Sequence, residues 1–105
     1  MPYETPSTPE GISFQQKYQE EFKGEERLII ENTFFNQSSR APLEHFFKII
    51  KDEQEAAVAI GRLRGYLNML NKRTTAVPFK LEIAEEKKAV GAHFDKIEEL
   101  ADAAD

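Results

Sequence analysis

The chain contains no cysteine among its 105 residues. Disulfides, thiolate metal sites and thiol catalysis are therefore excluded, and the cross-links that stabilise many small secreted domains are missing. This favours a cytoplasmic location. A domain of this length buries only about two-thirds of the surface of its unfolded chain, so association with a second copy or another protein would add useful burial.

Long apolar runs are also missing. The longest uncharged apolar stretch, residues 56–61, is too short to span a bilayer. Residues 1–10 have neither the basic region nor the apolar region of a signal peptide. We therefore predict no membrane segment and no export signal.

Basic residues are fewer than acidic ones: 14 Lys and Arg stand against 19 Asp and Glu, and the net charge is −5. This balance disfavours direct nucleic-acid binding, because affinity for phosphate backbones comes mainly from Lys and Arg. Residues 42–79 carry a net charge of +2, whereas residues 1–41 carry −3 and residues 80–105 carry −4. Opposite signs suit packing of the C-terminal segment on the central one or contact between copies, although solvated helix faces give the same pattern.

The remaining composition is that of a folded chain, with 40% hydrophobic and 31% charged residues. Three of the five prolines lie within the first ten residues, and proline prevents helix formation there. We predict a disordered N-terminal arm at residues 1–12 and a single helical domain at residues 13–105.

Apolar residues at helical spacing define most of that domain. Phe14, Tyr18 and Phe22 recur every four residues and predict a first helix. Residues 25–35 begin with residues typical of a helix and continue as a dense apolar run, which favours a second helix over a strand. A proline-free segment, residues 43–72, predicts one long central helix, with a break into two near residues 51–55 as the alternative.

A C-terminal helix from about residue 80 completes the pattern, and its predicted buried side consists of Leu81, Ala84, Val90, Phe94, Ile97 and Leu100. The fold class predicted is all-α, a small helical bundle with a long central helix and a C-terminal antiparallel helical hairpin. The hairpin would place Gly61 opposite Gly91.

Small residues spaced by four are the most specific local feature: Ala57, Gly61 and Gly65. Glycine inside a helix costs about 1 kcal/mol relative to alanine, so two in succession call for a reason. Close approach of another helix is the physical candidate, and we predict a tight crossing of Gly61 with Gly91. The alternative is that the glycines occupy incidental surface positions.

Adjacent phenylalanines, Phe34 with Phe35 and Phe46 with Phe47, lie about 100° apart on a helix, so we expect one member of each pair near an edge. These aromatics are either core or part of an oligomer interface or ligand groove, where aromatic residues are enriched.

Two charged groups are candidate binding surfaces. A possible anion site, formed between copies, comprises Arg62, Arg64, Tyr66, Lys72 and Arg73. A possible acidic surface for a basic partner comprises Glu85, Glu86, Glu98, Glu99 and Asp102. Neither has a motif that fixes its chemistry, and lysines interrupt the acidic helix.

No catalytic or metal-binding motif is present. His45 and His93 are the only histidines and occur in no zinc-ligand spacing. We predict no enzymatic activity and no cofactor.

The functional prediction is a helical protein–protein interaction or assembly module that forms homo-oligomers, a format common among accessory proteins such as phage-encoded ones. The alternatives are an acidic inhibitor or adaptor that binds a basic site on another protein, and a small-nucleotide-sequestering protein with an anion pocket between subunits.

Overall fold

Five helices make up the secondary structure that the computed structural model describes, which covers residues 13–36, 40–50, 52–72 and 77–104. They are α1 (Ser13–Glu21), α2 (Glu25–Ile30, continued by a π-helical segment, Glu31–Phe35), α3 (Leu43–Ile49), α4 (Glu53–Asn71) and α5 (Val77–Ala104). These ranges contain no strand, so the all-α prediction is confirmed and the strand alternative is wrong. The predicted disordered arm at residues 1–12 lies outside the described residues.

Helix α1 follows the predicted four-residue spacing. Phe14, Tyr18 and Phe22 are all fully buried because residues four apart lie on one side of a helix. The chain then turns at Gly24, whose φ of 61° is a conformation that glycine adopts without strain. This turn ends α1 and precedes α2.

The π-helical segment buries both members of the first aromatic pair. Phe34 is 1% exposed and Phe35 is 6% exposed, so the expectation that one would lie at an edge is wrong. A π turn is wider than an α turn, and adjacent side chains diverge less in direction. Phe34 consequently packs against Tyr66 of α4, and Phe35 against Phe94 of α5, with ring centroids 5.3 and 5.1 Å apart.

The second aromatic pair is also buried, for a different reason. Helix α3 is covered on two sides: Phe46 packs against Phe94 with centroids 5.3 Å apart, and Phe47 packs against Phe14 at 5.5 Å. Both of its phenylalanines therefore face other rings. Side chains from all five helices join in one apolar core.

The predicted long helix of residues 43–72 is two helices, α3 and α4. Ile50 has extended backbone angles and is fully buried, so the chain leaves the helix where this side chain enters the core. Asp52 then begins α4 as its N-cap, because its carboxylate accepts a hydrogen bond of 2.9 Å from the Glu55 N–H. The break therefore begins one residue before the segment, residues 51–55, in which the alternative prediction placed it.

Helix α5 buries only part of its predicted apolar side. Val90, Phe94 and Ile97 are buried, whereas Leu81 and Leu100 are 62% and 59% exposed and Ala84 is exposed as well. Val90 lies nine positions after Leu81, and at about 100° per residue the two side chains point in opposite directions. Leu81 therefore lies on the outer face of α5.

Helices α4 and α5 form the predicted antiparallel hairpin, but Gly61 does not face Gly91. A Cβ added at Gly61 would have no neighbouring atom within 4 Å. Ala59 and Leu63, which are fully buried, lie two positions before and two positions after Gly61 in the helix. Gly61 therefore points about 160° away from each of them. The predicted close crossing of the two glycines within the chain is wrong.

Candidate functional site

One face of α4 is exposed and carries no charge. We call it the α4 outer face, and it consists of Gln54, Ala57, Val58, Gly61, Gly65 and Asn68. Gly65 is half-buried and the other five residues are exposed, including Val58 with 45% of its surface accessible. A Cβ added at Gly65, as at Gly61, would have no neighbour within 4 Å. Nothing in the fold of the described residues therefore requires a glycine at either position.

A groove between α1 and α4 adjoins this face. Its volume is about 400 Å³, and it is lined by Lys17, Glu20, Glu21, Ala57, Ile60, Gly61 and Arg64. Residues of α4, including the small Ala57 and Gly61, form one wall, and charged side chains of α1 form the other. The groove extends the exposed surface of α4 onto α1.

Arg64 lines the groove and bonds to residues of both α1 and α2. Its Nη1 and Nη2 donate to the two carboxylate oxygens of Glu26 at 2.7 and 3.2 Å, and Nη2 also donates to the Glu21 carbonyl at 3.0 Å. The guanidinium lies over the Phe22 ring, 4.9 Å from its centroid. The hydrogen bond from Arg64 lowers the pKa of Glu26, and the same contact raises the pKa of Arg64. Arg64 thus joins the C-terminus of α1 to α2 and α4.

The predicted anion residues are dispersed within one chain. Arg62 is exposed, and its charge helps to lower the pKa of His93 in α5. Tyr66 is buried against Phe34, and burial raises its pKa. The Lys72 ammonium lies 5.5 Å from the centroid of the Phe79 ring, while Arg73 is outside the described residues. An anion pocket built from this set would therefore need a second chain.

The predicted acidic surface is only partly exposed. Glu85, Glu99 and Asp102 are exposed, whereas Glu86 and Glu98 are half-buried. The exposed acids share the outer face of α5 with Leu81 and with lysines. This face is mixed in charge and apolar at both ends.

A cluster formed by Arg40, Gly91 and Asp95 was not predicted from the sequence. The Arg40 side chain is only 9% exposed. Its Nε and Nη2 donate to the two Asp95 oxygens at 2.8 and 3.3 Å, and Nη1 donates to the Phe34 carbonyl. Arg40 and Asp95 are 55 residues apart, so no local spacing could have linked them. Gly91 is buried because this guanidinium covers it.

Two buried polar atoms have no hydrogen-bond partner among the described residues: Gln15 Oε1 and His93 Nε2. Gln15 is 3% exposed. Burial, together with the nearby charge of Arg62, lowers the pKa of His93, so the fold favours the neutral imidazole.

Metal-ligand geometry is absent from the described side chains, where no three His, Asp or Glu residues converge. None of the helices in the described ranges combines the length and the apolar character needed to cross a membrane. No protein-family model, no curated protein and no solved structure matches this chain.

Proposed function

We propose that this protein is a non-enzymatic helical interaction module that self-associates through the α4 outer face. The observation that carries the proposal is the pair of helical glycines, exposed Gly61 and half-buried Gly65, at which an added Cβ would have no neighbour within 4 Å. Each lowers helix stability by about 1 kcal/mol relative to alanine. A helix from another molecule, packed closely on this face, would account for both.

The chemistry of the face suits a helix–helix contact. Packed helices lie about 8–10 Å apart, and small residues permit the shortest separations. Exposed Val58 adds apolar area beside the glycines, and the groove next to Ala57 and Gly61 leaves space for side chains of the second molecule. Because the face carries no charge, its burial leaves no ion without a partner.

Light scattering after size exclusion tests the proposal. We expect an oligomer whose mass is the same at low and high salt, since screening weakens ionic contacts and leaves apolar ones. Gly61→Leu should raise the dissociation constant about tenfold or more, because overpacking of a close contact costs about 1–3 kcal/mol. A Cβ at position 61 meets no atom of the chain within 4 Å, so the fold should persist.

The matched control is Ala92→Leu, which adds the same side chain at an exposed position of α5 and should leave the mass unchanged. A wild-type chain that is monomeric at every concentration would contradict the proposal. Equal masses for Gly61→Leu and the control would show that self-association uses another surface.

A second candidate function rests on the outer face of α5. Leu81 and Leu100 are exposed there, together with the acids Glu85 and Glu99. An acidic adaptor or inhibitor would use these groups to bind a basic, partly apolar site on another protein. Such a complex should weaken sharply between low and moderate salt, whereas self-association through α4 should not.

A further inference from the structure

We infer that the self-association proposed above, on which this inference rests, pairs the α4 helices of two copies in antiparallel orientation, with Gly61 of each copy beside Gly65 of the other. The groups on the α4 outer face and at the ends of α4 support this orientation. A parallel pair would use the same face but would bring like charges together.

The first argument is the symmetry of the face about its midpoint, Leu63. Gly61 and Gly65 lie two residues either side of it, and Val58 and Asn68 lie five residues either side. A two-fold dimer interface is self-complementary: residue i of one copy contacts residue j of the other, and j contacts i. Antiparallel pairing about this midpoint puts both glycine pairs at the crossing point, where the backbones approach most closely.

The second argument is charge at the two ends of α4. The N-terminal end carries exposed Asp52 and Glu53, and neither has an ion-pair partner among the described residues. The C-terminal end carries exposed Lys72. Antiparallel pairing brings the acidic end of each helix to the basic end of the other. Parallel pairing would place acid beside acid and base beside base, which is unfavourable.

The helix macrodipoles favour the same orientation, since antiparallel helices place opposite partial charges side by side. The groove extends the contact beyond α4. It opens beside Ala57 and Gly61 and has Lys17 and Glu20 on its α1 side, so α1 and α4 of each copy would form a four-helix arrangement in the dimer. Contacts to α1 add area that one helix crossing alone lacks.

Because the chain has no cysteine, single introduced cysteines report the orientation without background. We would make Val58→Cys and Asn68→Cys, both at exposed positions, and treat each protein alone and an equal mixture with a short bismaleimide. The two positions are ten residues apart, about 15 Å along the helix at 1.5 Å per residue. Leu100→Cys, on the outer face of α5, is the control.

Antiparallel pairing predicts that the mixture gives the cross-link between Val58→Cys and Asn68→Cys, and that neither protein alone forms a cross-linked dimer. The control, Leu100→Cys, should form no cross-link with either variant. Self-cross-linking of Val58→Cys and of Asn68→Cys, without the mixed product, would overturn the antiparallel inference and leave self-association through α4 intact. An oligomer by light scattering that gives no cross-link through either position would overturn this inference and the α4 interface together. A monomeric wild-type chain would refute the proposed function itself.

Discussion

The guanidinium of Arg40 lies directly against the backbone of Gly91: a Cβ added to this glycine would stand 2.9 Å from Arg40 Nη2. Arg40 is held in place by both oxygens of Asp95 and by the Phe34 carbonyl. The contact links the end of the π-helical segment to the middle of α5. A side chain at position 91 would require the guanidinium to shift.

Gly91→Ala should therefore lower the free energy of unfolding by about 1 kcal/mol. At an exposed helix position the same change would instead raise it by about 1 kcal/mol, because alanine has the higher helix propensity. The added methyl group displaces the guanidinium and weakens charge-assisted hydrogen bonds. Urea denaturation measures the change.

A double-mutant cycle isolates the cause of that loss. In an Arg40→Ala background, Gly91→Ala should become stabilising, with a coupling of about 1–2 kcal/mol between the two sites. Additive effects would show that Arg40 is not what restricts this position.

Gly61→Ala and Gly65→Ala should have the opposite effect on folding. Neither added methyl group meets an atom within 4 Å, so each should raise the free energy of unfolding of the monomer by up to about 1 kcal/mol. Thermal melts at concentrations where the chain is monomeric would measure this. If both variants are less stable than wild type, a contact not present among the described residues must occupy the face.

Arg64→Ala should lower the free energy of unfolding by about 1–2 kcal/mol. The guanidinium satisfies the Glu21 carbonyl at the end of α1, forms a two-pronged pair with Glu26 and packs on Phe22. About a quarter of the Arg64 side chain and a third of the Glu26 side chain are exposed, so solvent screens part of the ionic contribution.

Arg64→Lys is the informative companion variant. It keeps the charge but loses the planar, bidentate geometry of arginine. It should therefore recover only part of the stability that Arg64→Ala loses. Full recovery by lysine would mean that charge alone matters at this site. Chemical denaturation at two salt concentrations separates the ionic part from the packing part.

Stability should fall as the pH is lowered through the range in which His93 titrates. Burial lowers the pKa of His93 below its ordinary value of 6.5, so the fold prefers the neutral imidazole while the unfolded chain still binds a proton near that pH. The contribution of neutral His93 is therefore complete above about pH 6.5 and is lost as the pH falls towards the folded-state pKa.

Melting temperatures of wild type and His93→Gln at pH 7.5 and pH 5.5 test this prediction, and we expect a smaller acid-induced drop in the variant. Comparing the two proteins cancels groups that titrate in both, including Glu55, whose pKa is raised by burial beside Asp52. Equal drops would show that His93 is not responsible.

Part of the fold was predictable because helix periodicity is local. The spacing of Phe14, Tyr18 and Phe22 identified α1 and its buried side, and the opposite net charges of the central and C-terminal segments favoured their packing as a hairpin. The sequence showed that the glycines of α4 are unusual, but it did not show on which side of the helix they lie. Whether a glycine faces its own hairpin partner or solvent depends on the rotation of α4 about its axis, which the whole core sets.

By itself, the sequence determined an all-α chain, the positions of most of its helices, and the unusual composition of α4. Only the tertiary structure decided that both phenylalanine pairs are buried, that the segment after Ile49 leaves the helix, and that Arg40 reaches Asp95 across the chain. The physical reason is the difference between contacts of residues close in the sequence and contacts of residues far apart in it. Hydrogen bonds between residues four apart fix a helix from local sequence, whereas burial and long-range ion pairing depend on which helices meet, and that depends on all of their side chains packing together at once.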